Sequence, residues 1–118
     1  MTKTKQHDLE ERTFDFAKRR RKFSKRLHKS IANTEDVKQL VRSSGSVGAN
    51  YIEANEALSK KDFLMRVKIC RKEVKESRYW LALLDNEDNQ SLKKESQNLQ
   101  DEATELLKAF SSIIQKSD

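Results

Sequence analysis

A heptad pattern in the second half of the sequence constrains the possible fold most strongly. Apolar and small residues recur there at steps of four and three in two segments, 63–84 and 92–113. The residues are Phe63, Val67, Cys70, Val74, Ser77, Leu81 and Leu84, followed by Leu92, Ser96, Leu99, Ala103, Leu106, Phe110 and Ile113. This spacing places side chains on one face of an α-helix, where they pack against another helix. We therefore predict amphipathic helices at about 60–84 and about 90–115.

The first half of the sequence predicts two further helices, at about 8–29 and about 34–58. The buried face of the first is marked by Leu9, Phe16, Phe23 and Leu27, and widened by Phe14 and Ala17. Asn33 or Thr34 is the expected N-cap of the second helix, and Ser59 that of the third. The chain has 118 residues, no proline and two glycines. We therefore predict one all-α domain over residues 1–118, an up-down-up-down antiparallel four-helix bundle.

The stretch from Val41 to Leu58 combines this helical pattern with many small residues. They are Ser43, Ser44, Gly45, Ser46, Gly48 and Ala49. A glycine inside a helix costs about 1 kcal/mol relative to alanine, so we expect a neighbouring backbone to approach this helix closely in return. A second face of the helix carries Arg42, Ser46, Asn50 and Glu53. This face is either a solvated edge or a polar contact surface for another subunit or an RNA backbone.

Positive charge is concentrated in the first and third helices. The net charge is +6, and residues 1–30 hold 11 Lys or Arg against 4 Asp or Glu. Candidate phosphate contacts on the first helix are Arg19, Arg20, Arg21, Lys22, Lys25 and Arg26, and on the third helix Lys68, Arg71, Lys72, Lys75 and Arg78. Such rows are typical of surfaces that bind nucleic acid or an acidic partner. Alternatively, they are solvated or paired with the acidic residues of neighbouring helices.

The sequence favours a cytoplasmic protein. It has no apolar run approaching the length of about 20 residues that a membrane span needs, and its N-terminus lacks the apolar core of a secretion signal. The single cysteine, Cys70, excludes an internal disulfide and lies in the heptad pattern, so we expect a buried structural thiol. We expect no membrane partner, no cofactor and no small-molecule substrate.

Residues 40–84 resemble the family of four-helix-bundle proteins known as 23S rRNA intervening-sequence proteins. The residues that carry the resemblance are Arg42-Ser43, Ser46-Val47, Ala49-Asn50, Glu53, Ser59, Asp62-Phe63, Lys72-Glu73, Glu76 and Tyr79-Trp80-Leu81. Ala54 replaces a glycine that is common in the family, and Leu27-His28 replaces a Leu-Pro. The resemblance implies a left-handed bundle that assembles into a ring-shaped homopentamer with a basic surface. It brings no catalytic residues.

The resemblance also bears on partners. Some relatives are encoded inside insertions of bacterial 23S rRNA genes, and a similar accessory protein partners a reverse transcriptase in diversity-generating retroelements.

The third helix carries more apolar surface than its heptad face needs, and the aromatic pair Tyr79-Trp80 suggests that a subunit interface uses part of it.

Three hypotheses for the function follow. The leading one is a non-catalytic, oligomeric module that binds RNA or nucleoprotein through the basic surfaces of helices one and three. The second is a protein-interaction scaffold for a nucleic-acid enzyme. The third is a Mg²⁺-dependent enzyme of the nucleotide pyrophosphohydrolase type, which would use the paired carboxylates Glu53, Glu56, Glu73 and Glu76.

Overall fold

The computed structural model describes residues 5–117, with side chains from residue 8 onwards. Its helices are α1 (Lys5–Lys25), α2 (Ile31–Asn55), α3 (Lys60–Leu83) and α4 (Gln90–Ser117), and these described residues contain no β-strand. The prediction of an all-α protein with four helices is confirmed. None of the helices described is long and apolar enough to cross a membrane. Residues 1–4 and 118, which the predicted domain includes, lie outside the described residues.

The helices enclose one apolar core. Within the described residues, α2 packs beside α1 and α3, and α4 packs beside α3 and α1, whereas the backbones of α1 and α3 do not come close to each other. The largest fully buried side chains come from all four helices and are Tyr51, Phe16, Phe23, Phe110, Leu40, Leu81, Leu99, Leu106, Val47, Val67, Val74 and Thr13. The two basic helices, α1 and α3, therefore lie at opposite corners of the protein. The basic residues predicted on the first and third helices therefore lie on two separate surfaces.

The start of α2 differs from the prediction by three residues. Ser30 is the N-cap, and its hydroxyl accepts a hydrogen bond from the backbone N–H of Asn33 at 3.1 Å. Asn33 is not a cap, because its buried side chain bonds to the two loops beside it. Its Nδ2 donates to the carbonyl oxygens of His28 and Asp85, and its Oδ1 accepts from the Asp85 N–H, each at 3.0 Å. Asn33 thus joins the α1–α2 loop to the α3–α4 loop.

The other helix boundaries agree with the sequence-based predictions at some positions and differ at others. Ser59 caps α3 as predicted, with its hydroxyl accepting from the Asp62 N–H at 3.1 Å. The helix α2 ends at Asn55, so Leu58, predicted to be helical, lies in the connection to α3 and is 99% exposed. The helix α1 ends at Lys25 rather than at residue 29. The ring of Phe14 is 62% exposed, so it does not widen the buried face of α1.

Only one of the two glycines in α2 lies where a neighbouring helix comes close to the α2 backbone. A Cβ atom added at Gly48 would lie 3.2 Å from Thr13 Oγ1 and 3.8 Å from the Thr13 carbonyl carbon, so α1 passes directly over this position. At Gly45, nothing lies within 4 Å of the added atom. The predicted approach of a neighbouring backbone is therefore confirmed at Gly48, and it does not explain Gly45.

The substitution Gly45→Ala is expected to raise the free energy of unfolding by about 1 kcal/mol, because alanine loses less backbone entropy in a helix and meets no neighbour there. Gly48→Ala is the matched control. Its methyl group would press on Thr13, so we expect little gain or a loss. Urea denaturation of the two variants checks the prediction. Equal stabilisation by both substitutions would contradict it.

Candidate nucleic-acid interface

An open groove of about 710 Å³ follows the outer face of α3 and reaches α4. It is lined by Lys68, Arg71, Lys72, Lys75, Glu76, Tyr79, Trp80, Leu107 and Ser111. The spacing along α3 explains why these residues meet. Lys68, Lys72, Lys75 and Tyr79 follow one another at steps of four, three and four, which places them in one line along the helix surface. Four of the five basic residues predicted on the third helix line this groove.

The cations of the groove are accessible. Lys68, Lys72 and Lys75 are exposed, and Arg71 is half-buried. The fifth predicted residue, Arg78, points towards α4, where its Nη1 donates to Thr104 Oγ1 at 3.2 Å. Arg78 therefore contributes to the packing of α3 against α4 and does not line the groove.

Two aromatic rings form one end of the groove. Trp80 is half-buried and packs against the core, whereas Tyr79 is 60% exposed. Their ring centroids lie 5.0 Å apart in an edge-to-face arrangement. Such a contact is favourable for aromatic pairs and restricts the position of the outer ring. Tyr79 therefore offers a supported, solvent-facing ring at the end of a row of lysines.

A second basic surface lies on α1. Arg21, Lys22 and Lys25 are exposed. The other two exposed or half-exposed cations contact α4, since Arg19 Nε lies 3.8 Å from Glu95 Oε2 and Arg26 Nη2 donates to Ser91 Oγ at 2.8 Å. Of the six residues predicted on the first helix, three thus keep an exposed charge that forms no ion pair within the described part of the chain.

Arg20 corrects the prediction of six phosphate contacts. Its side chain is buried between α1 and α2, where Nε donates to Ser44 Oγ at 2.9 Å and Nη1 donates to Ser24 Oγ at 3.4 Å. Burial, together with the charge of Arg21, lowers the pKa of Arg20 from its ordinary value. The spacing of Arg20 from the apolar residues could have indicated from the sequence that it is buried. The buried residues of α1 are Leu9, Thr13, Phe16, Arg20 and Phe23, and Leu27 follows just after the helix, which makes a complete series of steps of four and three.

The polar face predicted on α2 serves mainly the contact with α3. Arg42 Nη1 donates to Glu73 Oε2 at 2.8 Å, and Arg42 Nη2 donates to Glu76 Oε1 at 3.0 Å. Asn50 donates to the Ser46 carbonyl at 2.9 Å and accepts from Arg66 Nη1 at 3.0 Å. This face therefore carries polar contacts between α2 and α3 and also remains partly solvated, because the side chain of Arg42 is 53% exposed. Glu53, near the end of α2, is also exposed, whereas Ser46 and Asn50 are half-buried.

The structure does not bring the four candidate metal-binding carboxylates together. Glu73 and Glu76 are both bonded to Arg42, whereas Glu53 and Glu56 line a separate hollow beside the α2–α3 connection. Within residues 8–117, no group of three or more His, Cys, Asp or Glu side chains is arranged to hold a metal ion. The geometry thus gives the carboxylate pair on α3 a structural role, which is to hold Arg42.

Glu73 is nearly buried, and its ionisation is linked to stability. Burial alone would raise its pKa, but hydrogen bonds from Arg42 and Ser46 outweigh this and lower the pKa below its ordinary value. A group whose pKa is lowered by folding stabilises the protein above its unfolded-state pKa, and this contribution is lost as the pH falls through the folded-state pKa. Acidification should therefore weaken the contact between α2 and α3.

We expect Glu73→Gln to cost about 1–2 kcal/mol at about pH 7 and much less at an acidic pH below the lowered folded-state pKa of Glu73, where the wild-type carboxylate is itself protonated. Urea denaturation of both proteins at the two pH values measures this difference. Glu105→Gln is the matched control, because the exposed Glu105 pairs with Lys108 on the surface of α4 and should cost little at either pH. A cost for Glu73→Gln that does not change with pH would contradict the linkage.

Cys70 lies in the core as predicted. Burial raises the pKa of its thiol to about 12, and the thiol donates to the Val47 carbonyl at 3.4 Å. The thiol is therefore protonated at neutral pH. Its place between α2 and α3 is that of a small packing residue.

The fold and the groove define an all-helical protein of four helices with a basic, aromatic-ended surface on α3. The chain belongs to the 23S rRNA-intervening sequence protein family, whose sequence profile matches residues 5–112. The resemblance noted from the sequence is thereby confirmed. A search of curated proteins found no match.

A solved structure gives the same fold. It is a crystal structure of a protein with unknown function from the S23 ribosomal protein family of Bacteroides thetaiotaomicron. The two chains are 29% identical, the match covers 90% of this chain and 97% of that chain, and the TM-score is 0.76. The similarity therefore extends over nearly the whole of both proteins.

Proposed function

We propose that this protein is a non-catalytic module that binds RNA or ribonucleoprotein through phosphate contacts. One observation carries the proposal: Lys68, Lys72 and Lys75 line a single open groove, and none of them forms an ion pair with a carboxylate of the described chain. Three neighbouring ammonium groups repel one another, and an anionic backbone would relieve that repulsion and release its counterions. A single cysteine kept as a buried thiol fits the reducing cytoplasm, which is where we propose that the protein acts.

The α1 surface of Arg21, Lys22 and Lys25 is a secondary contact in this proposal. Because α1 and α3 lie at opposite corners, a short RNA cannot bind both surfaces of one protomer at once. Repetition of the two surfaces in an assembly would let a longer RNA contact several protomers, which multiplies a modest affinity.

The test is fluorescence anisotropy of a labelled structured RNA at several salt concentrations. The groove variant replaces Lys68, Lys72 and Lys75 with glutamine, and the α1 variant replaces Arg21, Lys22 and Lys25. A matched control replaces the exposed Lys38, Lys94 and Lys116, which line neither surface. We expect the groove variant to lose about tenfold or more in affinity and to lower the salt slope by about 2–3. The α1 variant should lose less.

Two results would overturn this proposal. Equal losses in the groove variant and in the control would show that only net charge matters. Undetectable binding by the wild type at low salt would leave an acidic protein, such as a subunit of a nucleic-acid enzyme, as the partner of the basic surfaces.

We also propose the up-down-up-down antiparallel topology. The bonds between neighbouring helices support it, since their order along one helix runs opposite to that along the other. Between α2 and α3, Arg42 bonds to Glu73 whereas Asn50 bonds to Arg66. Between α1 and α4, Arg12 bonds to Glu102 whereas Arg26 bonds to Ser91.

Assembly into a homo-oligomer is the last part of the proposal, with the ring-shaped pentamer as its expected form. The protomer leaves large apolar side chains exposed on different helices, among them Phe14, Ile52 at 55% and Met65 at 49%. Exposed apolar residues on more than one face fit a ring, because each subunit of a ring uses two different surfaces. Light scattering after size exclusion should give a mass several times that of the 13.8 kDa chain. A monomeric mass would refute assembly.

A further inference from the structure

The groove on α3 combines two features that a simple phosphate-binding surface does not need together. One is the line of Lys68, Lys72 and Lys75, and the other is the exposed ring of Tyr79 that continues the line. From Lys68 to Tyr79 is eleven residues, which corresponds to about 16 Å along a helix. This length is enough for more than one phosphate of an extended strand.

We propose that this groove binds a single-stranded segment of RNA, with a base stacked on Tyr79 and the adjoining phosphates on the three lysines. The inference rests on the proposed function and narrows its substrate class. In an RNA duplex the base faces are covered by neighbouring base pairs, so an exposed aromatic side chain has nothing to stack on. Proteins that bind single strands instead combine a basic groove with aromatic side chains that receive unstacked bases.

The surroundings of Tyr79 prepare its ring for stacking. The edge-to-face contact with Trp80, at 5.0 Å between centroids, supports the ring from one side, and Trp80 is itself anchored against the core. Stacking a base on the exposed side therefore costs little side-chain entropy, because the ring of Tyr79 is already held in place. A free tyrosine on a mobile surface would lose side-chain entropy on binding.

The charge balance of the groove also favours a polyanion. Glu76 is the one carboxylate among the residues that line it, and its Oε1 is bonded to Arg42 Nη2 at 3.0 Å. Its negative charge is therefore partly neutralised from the α2 side. The four basic residues of the groove, which include Arg71, face the strand without an equal number of opposing charges.

The experiment compares a labelled oligouridine with an RNA duplex of the same length, using wild type and the variants Tyr79→Ala and Tyr79→Phe. Leu83→Ala is the matched control, because Leu83 is also exposed on α3 and does not line the groove. Trp80 is the only tryptophan of the chain, so its fluorescence reports directly on occupancy of the groove. Circular dichroism and light scattering of each variant verify its helices and its oligomeric mass.

We expect the single strand to bind at least about tenfold more tightly than the duplex and to change the fluorescence of Trp80. Tyr79→Ala should weaken binding of the single strand by about tenfold, with the salt slope unchanged because stacking releases no counterions. Tyr79→Phe and Leu83→Ala should bind as wild type does.

Failure of this inference differs from failure of the proposed function. If duplex and single strand bind equally and Tyr79→Ala has no effect, single-strand binding is refuted while phosphate binding stands. If neither RNA binds at low salt, both are refuted. A lower oligomeric mass of Tyr79→Ala without RNA would identify the groove as a contact between subunits and would also overturn the inference.

Discussion

Phe110→Ala is expected to lower the free energy of unfolding by about 3–5 kcal/mol, the range found when a buried aromatic ring is removed from a core. Phe110 has no solvent exposure, and its ring lies 5.7 Å from that of Tyr51, between α4 and α2. The backbones of these two helices do not come close to each other, so the ring pair spans the core between them. A loss of this size is a large part of the roughly 5–15 kcal/mol by which a domain is stable.

The measurement is urea denaturation at fixed protein concentration, since assembly would make stability concentration-dependent. Phe14→Ala is the control for the loss of a phenyl ring. Phe14 is 62% exposed, and the ammonium group of Lys18 lies 5.5 Å from the centre of its ring, so we expect a cost below about 1 kcal/mol. A similar cost at the two positions would contradict the placement of the core.

Asn33→Ala is expected to cost about 2–3 kcal/mol, because it removes one side chain that satisfies three backbone groups. The carbonyls of His28 and Asp85 and the N–H of Asp85 would all lose their partner in a partly buried place. The same side chain holds the two loops together, so the variant should also increase amide hydrogen exchange around residues 28 and 85.

Two further substitutions test this interpretation of Asn33. Asn33→Asp keeps the acceptor but loses the donated hydrogen bonds and directs a negative charge at two carbonyl oxygens, so it should cost at least as much as alanine. Thr34→Ala changes an exposed residue next to it and should stay within about 0.5 kcal/mol of the wild type. A small effect of both Asn33 variants would show that water replaces the amide.

The separation of the basic residues into two surfaces changes how the family resemblance is interpreted. The sequence alone predicts basic residues on helices one and three but does not show how the two sets lie relative to each other. In the structure, the α3 groove is complete on one protomer, and the α1 surface faces elsewhere. A binding experiment that removes charges from α1 alone, including the buried Arg20, would disturb the packing of α1 on α2 and leave the groove intact.

The sequence by itself determined the four helices and most of the core. Steps of four and three are a local property, since residues three and four apart share a helix face whatever surrounds them. For this reason the cap at Ser59 and the heptad faces of α3 and α4 could be predicted from the letters alone, except that Ile114 and not the predicted Ile113 is the last buried residue of α4. The buried thiol of Cys70 followed from the same spacing.

Only the tertiary structure decided which polar residues are used inside the protein and which remain for a partner. Arg20 occupies a core position of α1 because Ser44 of α2 receives its guanidinium, and Asn33 serves as a link because Asp85, 52 residues away, lies beside it. Arg42 likewise donates hydrogen bonds to Glu73 and Glu76 across the contact between α2 and α3. The physical reason is that a hydrogen bond or ion pair needs a particular partner at about 3 Å, and that partner is set by how the helices pack, whereas burial of an apolar side chain needs only the correct face.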